Sequence, residues 1–344
     1  MRATNSRIKS KMRDRDTTGM FVISLDFELL WGVRDLARLD HYKPNLLGER
    51  AAIPALLQLF DKHKIHATWA TVGFLFCESR DELMRSLPAR LPSYANPRFY
   101  PYANLEEIGY DESEDPLHYA PSLIRLIKSF PGQEIGTHTF SHYYCLERGQ
   151  DVDTFRADLV AAVRVAKNFG LTLESFVFPR NQYNLDSVSV LREMGIKSYR
   201  GNGASWIYQP RSQDEESLFR RGARLLDSYI RVTERNCHSL QGYHEYQYPI
   251  NIPSSRFLRP YSPRLESFER LRMRRILSDL SYAARNSLVY HLWWHPHNFG
   301  VNLENNLGFL SQILHRYSEL RETFGMESLS MREVAARVLA NGMS

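Results

Sequence analysis

Apolar residues along the chain follow two alternating spacings. Short continuous runs such as Met20–Leu25 (MFVISL) read as buried strands. Longer stretches with an apolar residue every three or four positions read as amphipathic helices. The first run ends at Asp26. Glu49–Lys64 then has helical spacing through Ile53, Leu56, Leu57 and Phe60, and Ile65–Phe76 predicts a second strand. The same reading gives helices over Ser122–Ser129, Thr154–Asn168 (stopped by Gly170) and Leu185–Met194. Strands are expected over Glu134–Thr137, Leu173–Phe178 and Ile196–Tyr199. A helix over Glu266–Arg285, a strand over Ser287–Trp294 and helices over Glu304–Phe324 and Met331–Asn341 complete the pattern. Strand–helix alternation predicts a parallel α/β sheet or barrel in one domain, residues 19–344.

Two stretches break the rhythm. Residues 77–120, with several prolines and tyrosines and the acidic run DESEDP, predict an insertion at the rim of a binding site. Residues 205–262 are irregular and rich in Arg, Ser, Tyr and Pro. Residues 1–18 are basic and polar and are expected to be disordered.

Composition changes this picture little. At 43% hydrophobic and 24% charged, 344 residues can bury a sizeable core and are ordinary for a soluble protein. The net charge of +5 is too small for this length to argue for nucleic acid. It suits an anionic substrate or an acidic membrane surface about equally, so peripheral membrane contact stays open. Cys77, Cys145 and Cys237 are scattered and odd in number, which implies no disulfide framework and a reducing compartment. The start of the sequence lacks the apolar run of a secretory signal, and nowhere do about 20 apolar residues run together as a membrane span requires. A cytoplasmic protein is expected.

In parallel α/β folds the working residues gather at the C-terminal ends of the strands. That rule selects Asp26 with Glu28, His138 with His142, Pro179–Asn184, and His291–Gly300. Asp26 and Glu28 are two apart, so on extended backbone they project to one side. Such a pair suits a division of labour, one carboxylate on a cation and one free as a base. His138 and His142 are four apart, which on a helical turn puts both imidazoles on one face. Two histidines and a carboxylate form a recognised catalytic metal set. In HLWWHPHNFG, His295 ends the last strand, where it could act as a general acid. His291 reads as a satisfied core histidine, and His297 lies between rim and site. Cys145 reads as a buried thiol, and the arginines of RLRMRR (Arg270–Arg275) as the solvated face of an outer helix.

These motifs in order, Asp26-x-Glu28, His138-x-x-x-His142, Phe178–Asn181 (FPRN) and His295–Pro296, resemble the polysaccharide deacetylases with a NodB-homology domain, carbohydrate esterase family 4. His66-Ala-Thr-Trp-Ala resembles the family's second strand, and Ser328–Ala335 its closing helix, so the resemblance runs from about residue 20 to 340. It implies a distorted (β/α)7 barrel and a divalent metal, zinc first with cobalt, nickel or manganese as alternatives, held by Glu28, His138 and His142. It further implies Asp26 as general base, Arg180 pairing with and tuning Asp26, and His295 as general acid. The chain reads Asp26-Phe27-Glu28 where the commonest family pattern has adjacent aspartates. Trp293, Trp294 and Tyr183 are candidates for stacking on a sugar, with Asn181 beside them as a substrate contact. The implied activity is metal-dependent N-deacetylation of an amino sugar, in a glycan or a nucleotide- or lipid-linked precursor, in surface polysaccharide biosynthesis. A deformylase or other amide hydrolase of the superfamily is one alternative. A non-catalytic sugar-binding barrel is another, against which the intact Asp26/His295 pair speaks.

Overall fold

Strand β1 (Met20–Phe27) is apolar except at Ser24 and Asp26 and is buried almost throughout, as a central strand covered on both faces must be. The computed structural model describes residues 18–35, 39–240 and 249–342. The basic stretch expected to be disordered lies, apart from Thr18, outside the described residues. The further strands are β2 (Ala67–Thr71), β3 (Gln133–Thr137), β4 (Ser175–Val177), β5 (Ser198–Arg200), β6 (Ile250–Asn251), β7 (Arg256–Phe257), β8 (Val289–Trp294) and β9 (Glu327–Leu329). Their order is β6-β5-β4-β3-β2-β1-β8-β7, with β9 joining β1, and the pairings between them are parallel. The sheet curls into a half-barrel with helices packed around it, the distorted (β/α)7 barrel that the motifs imply.

Helices outside the sheet follow their apolar stripes. The helix Val152–Asn168 turns Phe155, Leu159, Ala162 and Val165 inward and starts on an Asp151/Thr154 capping box, which satisfies backbone N–H groups at its free end. Expected strand Ile65–Phe76 stops at Thr71 and becomes a 3₁₀ turn over Gly73–Phe76. The cause is contact: a Cβ on Gly73 would lie 2.6 Å from the Phe140 ring, so this turn and the loop after β3 lie backbone against side chain.

The helix expected from Glu49 begins at Leu39. Within 205–262 the chain forms the helix Leu218–Asp227, whose inward side is polar, and the strands β6 and β7, which at two residues are too short for a periodic signal. One expectation about the helix Glu269–Arg285 is corrected. Arg272 and Arg275 are buried, not solvated. Arg275 reaches Asp227 at 2.9 Å, and the Arg272 guanidinium lies 3.9 Å over the Phe309 ring. Burying a guanidinium requires such a partner. The three cysteines are free.

Candidate active site

β1 and its neighbours deliver the acidic residues and histidines to one end of the sheet. Asp26 pairs in register with Ala70 of β2, and Glu28 follows the strand as the residue before the short helix Leu29–Val33. Glu28 folds back against that helix. A Cβ on Gly32 would sit 2.0 Å from the Glu28 carboxyl carbon, so only glycine leaves room for the side chain there.

Four imidazoles surround the Glu28 carboxylate. Oε2 lies 3.0 Å from His142 Nε2 and 3.3 Å from His138 Nε2. Oε1 lies 3.2 Å from His297 Nε2 and 3.7 Å from His295 Nε2. Burial opposes ionisation of Glu28, but His295, His142 and His138 outweigh it and hold its pKa well below the ordinary carboxylate value. His138 and His142 do not sit on a helical turn. They belong to an irregular loop in which Thr139 (φ 65°) and His142 (φ 57°) adopt left-handed backbone, and their ring centroids are 4.9 Å apart. Non-glycine residues in that region cost energy that the surroundings must supply. Buried Asp158 supplies it. It accepts hydrogen bonds from Phe140 N (2.6 Å), from the Ser141 hydroxyl and from Tyr102 OH (3.2 Å).

The Glu28, His138 and His142 donor set fits a cation. His138 Nδ1 donates to the carbonyl of Val177 at 2.8 Å, which leaves Nε2 of the neutral ring as a lone pair facing Glu28 Oε2. Two lone pairs 3.3 Å apart need a proton or a metal ion between them. These three residues are buried, and their ligand atoms lie within 4.8 Å of one another. Glu28, His295 and His297 meet the same distance condition. Arg34 Nη1 approaches His142 Nδ1 at 3.4 Å, too long to fix that ring's tautomer.

Asp26 is gripped by Arg200, not Arg180. Arg200 Nη1 and Nη2 reach its two oxygens at 2.6 and 2.7 Å, a bidentate fork in a buried setting. Burial alone would raise the Asp26 carboxyl, yet Arg200, with His138 and His295, holds it below its usual value. The expected Arg180–Asp26 pair is therefore corrected. Arg180 has left-handed backbone, pairs with Asp35, donates to Gln213 at 2.6 Å and lies over the Tyr144 ring at 4.2 Å. Its neighbour Asn181 does reach the centre, accepting from Arg200 Nη2 at 3.1 Å.

His295 completes the arrangement. Its Nε2 is 3.7 Å from Asp26 Oδ2, and its side chain is 24% exposed at the mouth of a cleft that Trp293 also lines. Trp293 carries the Arg200 guanidinium 4.1 Å over its ring. Trp294 is a correction: it is fully buried, stacked on Phe299 at 5.7 Å, and belongs to the core. Tyr183 stacks on Phe178 at 5.2 Å, inside an aromatic cluster with Tyr199. His291 is a satisfied core histidine, contacting Ser24 Oγ at 2.9 Å and the Ile252 carbonyl at 3.2 Å. Residues 77–120, expected to be an insertion, flank the His142 side. The Phe99 carbonyl accepts from Arg34 at 2.7 Å, and Phe99 packs edge-on to Tyr144 at 5.4 Å.

Residues 44–199 match the family model described as polysaccharide deacetylase. Over that stretch the chain is similar to the polysaccharide deacetylases. The matched segment holds His138 and His142, while Asp26, Glu28, Arg200 and His295 lie on either side of it. Among solved structures the chain is similar to a Mycobacterium smegmatis protein named a polysaccharide deacetylase. The TM-score is 0.59 at 13% identity, over 95% of this chain and 92% of that one. A Pseudomonas aeruginosa PAO1 protein named likewise gives 0.54 at 11%, over 94% and 91%. The 4-alpha-glucanotransferase of Thermococcus litoralis gives 0.51 at 11%, over 93% of this chain and 40% of that one. At these identities the likeness is one of fold, and one barrel serves more than one reaction. No curated protein matches the sequence.

Proposed function

We propose that this chain is a polysaccharide deacetylase that hydrolyses an N-acetyl group from an amino sugar, with a divalent cation, zinc first, held by Glu28, His138 and His142. One observation carries the reading: Asp26 and His295, an ionised carboxylate and a part-exposed imidazole 3.7 Å apart, stand beside that three-ligand cluster at the mouth of a cleft. The cation, when bound, polarises the acyl carbonyl and makes water a better nucleophile.

Residues of the chain do the proton work. Asp26, held ionised by Arg200, takes a proton from the attacking water at Oδ2, the oxygen nearer His295. His295 Nε2 gives a proton to the sugar nitrogen as the C–N bond breaks, so acetate and a free amine leave. Trp293 and Asn181 line the approach to these atoms. Because the Arg200 fork fixes both Asp26 oxygens, the base is oriented before substrate arrives.

Acetate release from N-acetylglucosamine oligomers by the zinc-loaded chain tests the reading. Asp26→Asn and His295→Ala should each lower turnover by about 10²–10⁴-fold. Unchanged release in both variants, or no release from any N-acetylated sugar with zinc, cobalt, nickel or manganese supplied, would overturn it.

A further inference from the structure

The helix Leu218–Asp227 is inside out. Its inward positions hold Arg220, 4% exposed, and Asp227, fully buried, which binds Tyr208, Thr233 and Arg275. Its outer face presents Leu218 (83% exposed), Phe219 (75%), Leu225 and Leu226, spaced to share one side of the helix. Trp206, 56% exposed, stacks on Phe219 with ring centroids 6.2 Å apart. Among the described residues, seven of the seventeen exposed large hydrophobic side chains fall between Trp206 and Val232. So concentrated an apolar face marks a surface meant to be covered.

Behind this helix a cleft of about 290 Å³ runs from Arg211, Arg224 and Arg259 to Trp293 and His295. Arg224 is paired with Glu216 at 3.0 Å. Arg259 donates to Ser228 Oγ at 2.8 Å and, like Arg211, pairs with no carboxylate among the described residues. Burial, with Arg224 and Arg272 nearby, pushes the Arg259 pKa below its ordinary value, as fits a cation lacking its anion. The Arg259 guanidinium is 5.8 Å from the Phe257 ring centroid, which is 5.8 Å from the His295 ring, so at most about 12 Å separates Arg259 from the acid.

We propose that this face lies on a membrane and that the cleft binds an amino sugar joined to a lipid through a diphosphate. The N-acyl group would reach His295, the phosphates would meet Arg259 and Arg211, and the lipid would leave across Trp206, Phe219 and Leu226. This deepens the deacetylase reading and rests on it for the reaction. Exposed Trp, Phe and Leu beside arginines are the composition of an interfacial helix. Guanidinium forks without acidic partners suit phosphate oxygens. One amphiphile accounts for three adjoining surfaces in order, whereas a nucleotide-linked sugar would leave the apolar face uncovered.

The test uses the full chain and vesicles of phosphatidylcholine with phosphatidylglycerol. Wild type should co-sediment, and the Leu218→Glu/Phe219→Glu double variant should partition at least tenfold less while keeping its circular dichroism spectrum. Acetate release from polyprenyl-diphosphate-linked N-acetylglucosamine should exceed that from the uridine-diphosphate sugar and from free N-acetylglucosamine, and Arg259→Ala should shrink that preference about tenfold. Wild type that ignores vesicles overturns the proposal. So does a double variant that changes only the oligomeric state in sedimentation velocity, which would assign the face to a second copy. Equal turnover of all three sugars removes the diphosphate subsite. If vesicle binding behaves as expected but no sugar releases acetate, the reaction reading fails and the membrane face stands.

Discussion

Arg200 holds both carboxylate oxygens of Asp26, at 2.6 and 2.7 Å, while its guanidinium rests 4.1 Å over the Trp293 ring. The fork and the ring together fix where the Asp26 carboxylate stands and keep it charged. Removing the fork's second hydrogen bond should loosen both effects. Arg200→Lys, which keeps the charge but not the fork, should lower kcat/KM by about tenfold or more and move the acid limb of its pH profile upward. The direction follows because Arg200 lowers the Asp26 pKa, so weakening it lets the carboxyl protonate at higher pH. Arg180→Ala should leave that limb in place, since Arg180 serves Asp35 and Tyr144. A pH profile of both variants separates the two arginines.

His297 ties Glu28 to Tyr42: Nε2 reaches Glu28 Oε1 at 3.2 Å and Nδ1 meets the Tyr42 hydroxyl at 2.7 Å. Partners of a ligating carboxylate orient it, and losing one typically costs 10–100-fold in metal affinity. His297→Phe is therefore expected to weaken zinc binding by about that factor, with Tyr42→Phe weaker in effect. Zinc competition against a fluorescent chelator measures both. Equal affinity in all three proteins would show that His297 plays no such part.

Gly32 offers a test of the ligand set that spares the histidines. Alanine at position 32 would place a methyl group against the Glu28 carboxyl, which can escape only by swinging away from His138 and His142. The backbone there needs no positive φ, so the fold should survive. Gly32→Ala is expected to keep its melting temperature within a few degrees yet purify with far less metal than the one ion per chain expected of wild type. Full metal content in the variant would remove Glu28 from the ligand set.

Asp158 makes the site's support pH-dependent. Burial pushes its carboxyl up from 3.8 to about 6, against the pull of its hydrogen-bond donors. A pKa raised on folding means the native state holds this proton more tightly than the unfolded chain. Its contribution is fully present below about pH 4 and is lost as pH rises through about 6, about 3 kcal/mol over the window. Asparagine cannot titrate, so the stability of Asp158→Asn relative to wild type should rise from pH 4 to pH 7. Urea unfolding across that range checks it, and a flat difference would contradict the shift.

The strand-end rule was enough to predict that Asp26, Glu28, His138, His142 and His295 gather at one place, because parallel strands that share a direction must bring their C-terminal ends together. It would also have pointed to Arg200, the last residue of β5, had the strand been read one residue longer. The more conspicuous PRN motif offered Arg180 instead, and only its left-handed backbone shows that it turns toward Asp35. Trp293 and Trp294 were separable by strand alternation, which sends neighbours to opposite faces. The core claims Trp294. Arg34, Asp35 and Tyr42 follow Glu28 in a stretch with no periodic pattern, and their contacts to His142, Arg180 and His297 depend on tertiary packing alone. The inverted helix at 218–227 was illegible for a related reason: its polar side faces in, the reverse of what apolar spacing is used to find.

β1 lies between β2 and β8, the early and late ends of the chain, and Glu28 and His297 meet across 269 residues. During synthesis, Glu28, His138 and His142 are all available once roughly the first half of the chain has emerged, whereas His295 comes only with β8, near the end. A half-made chain would thus own the proposed ligands before the proposed proton donor. Ribosome-bound intermediates that lack β8 are expected to be hydrolytically silent, and the docking of β8, with β9 still to join β1, would complete the proposed proton-transfer pair.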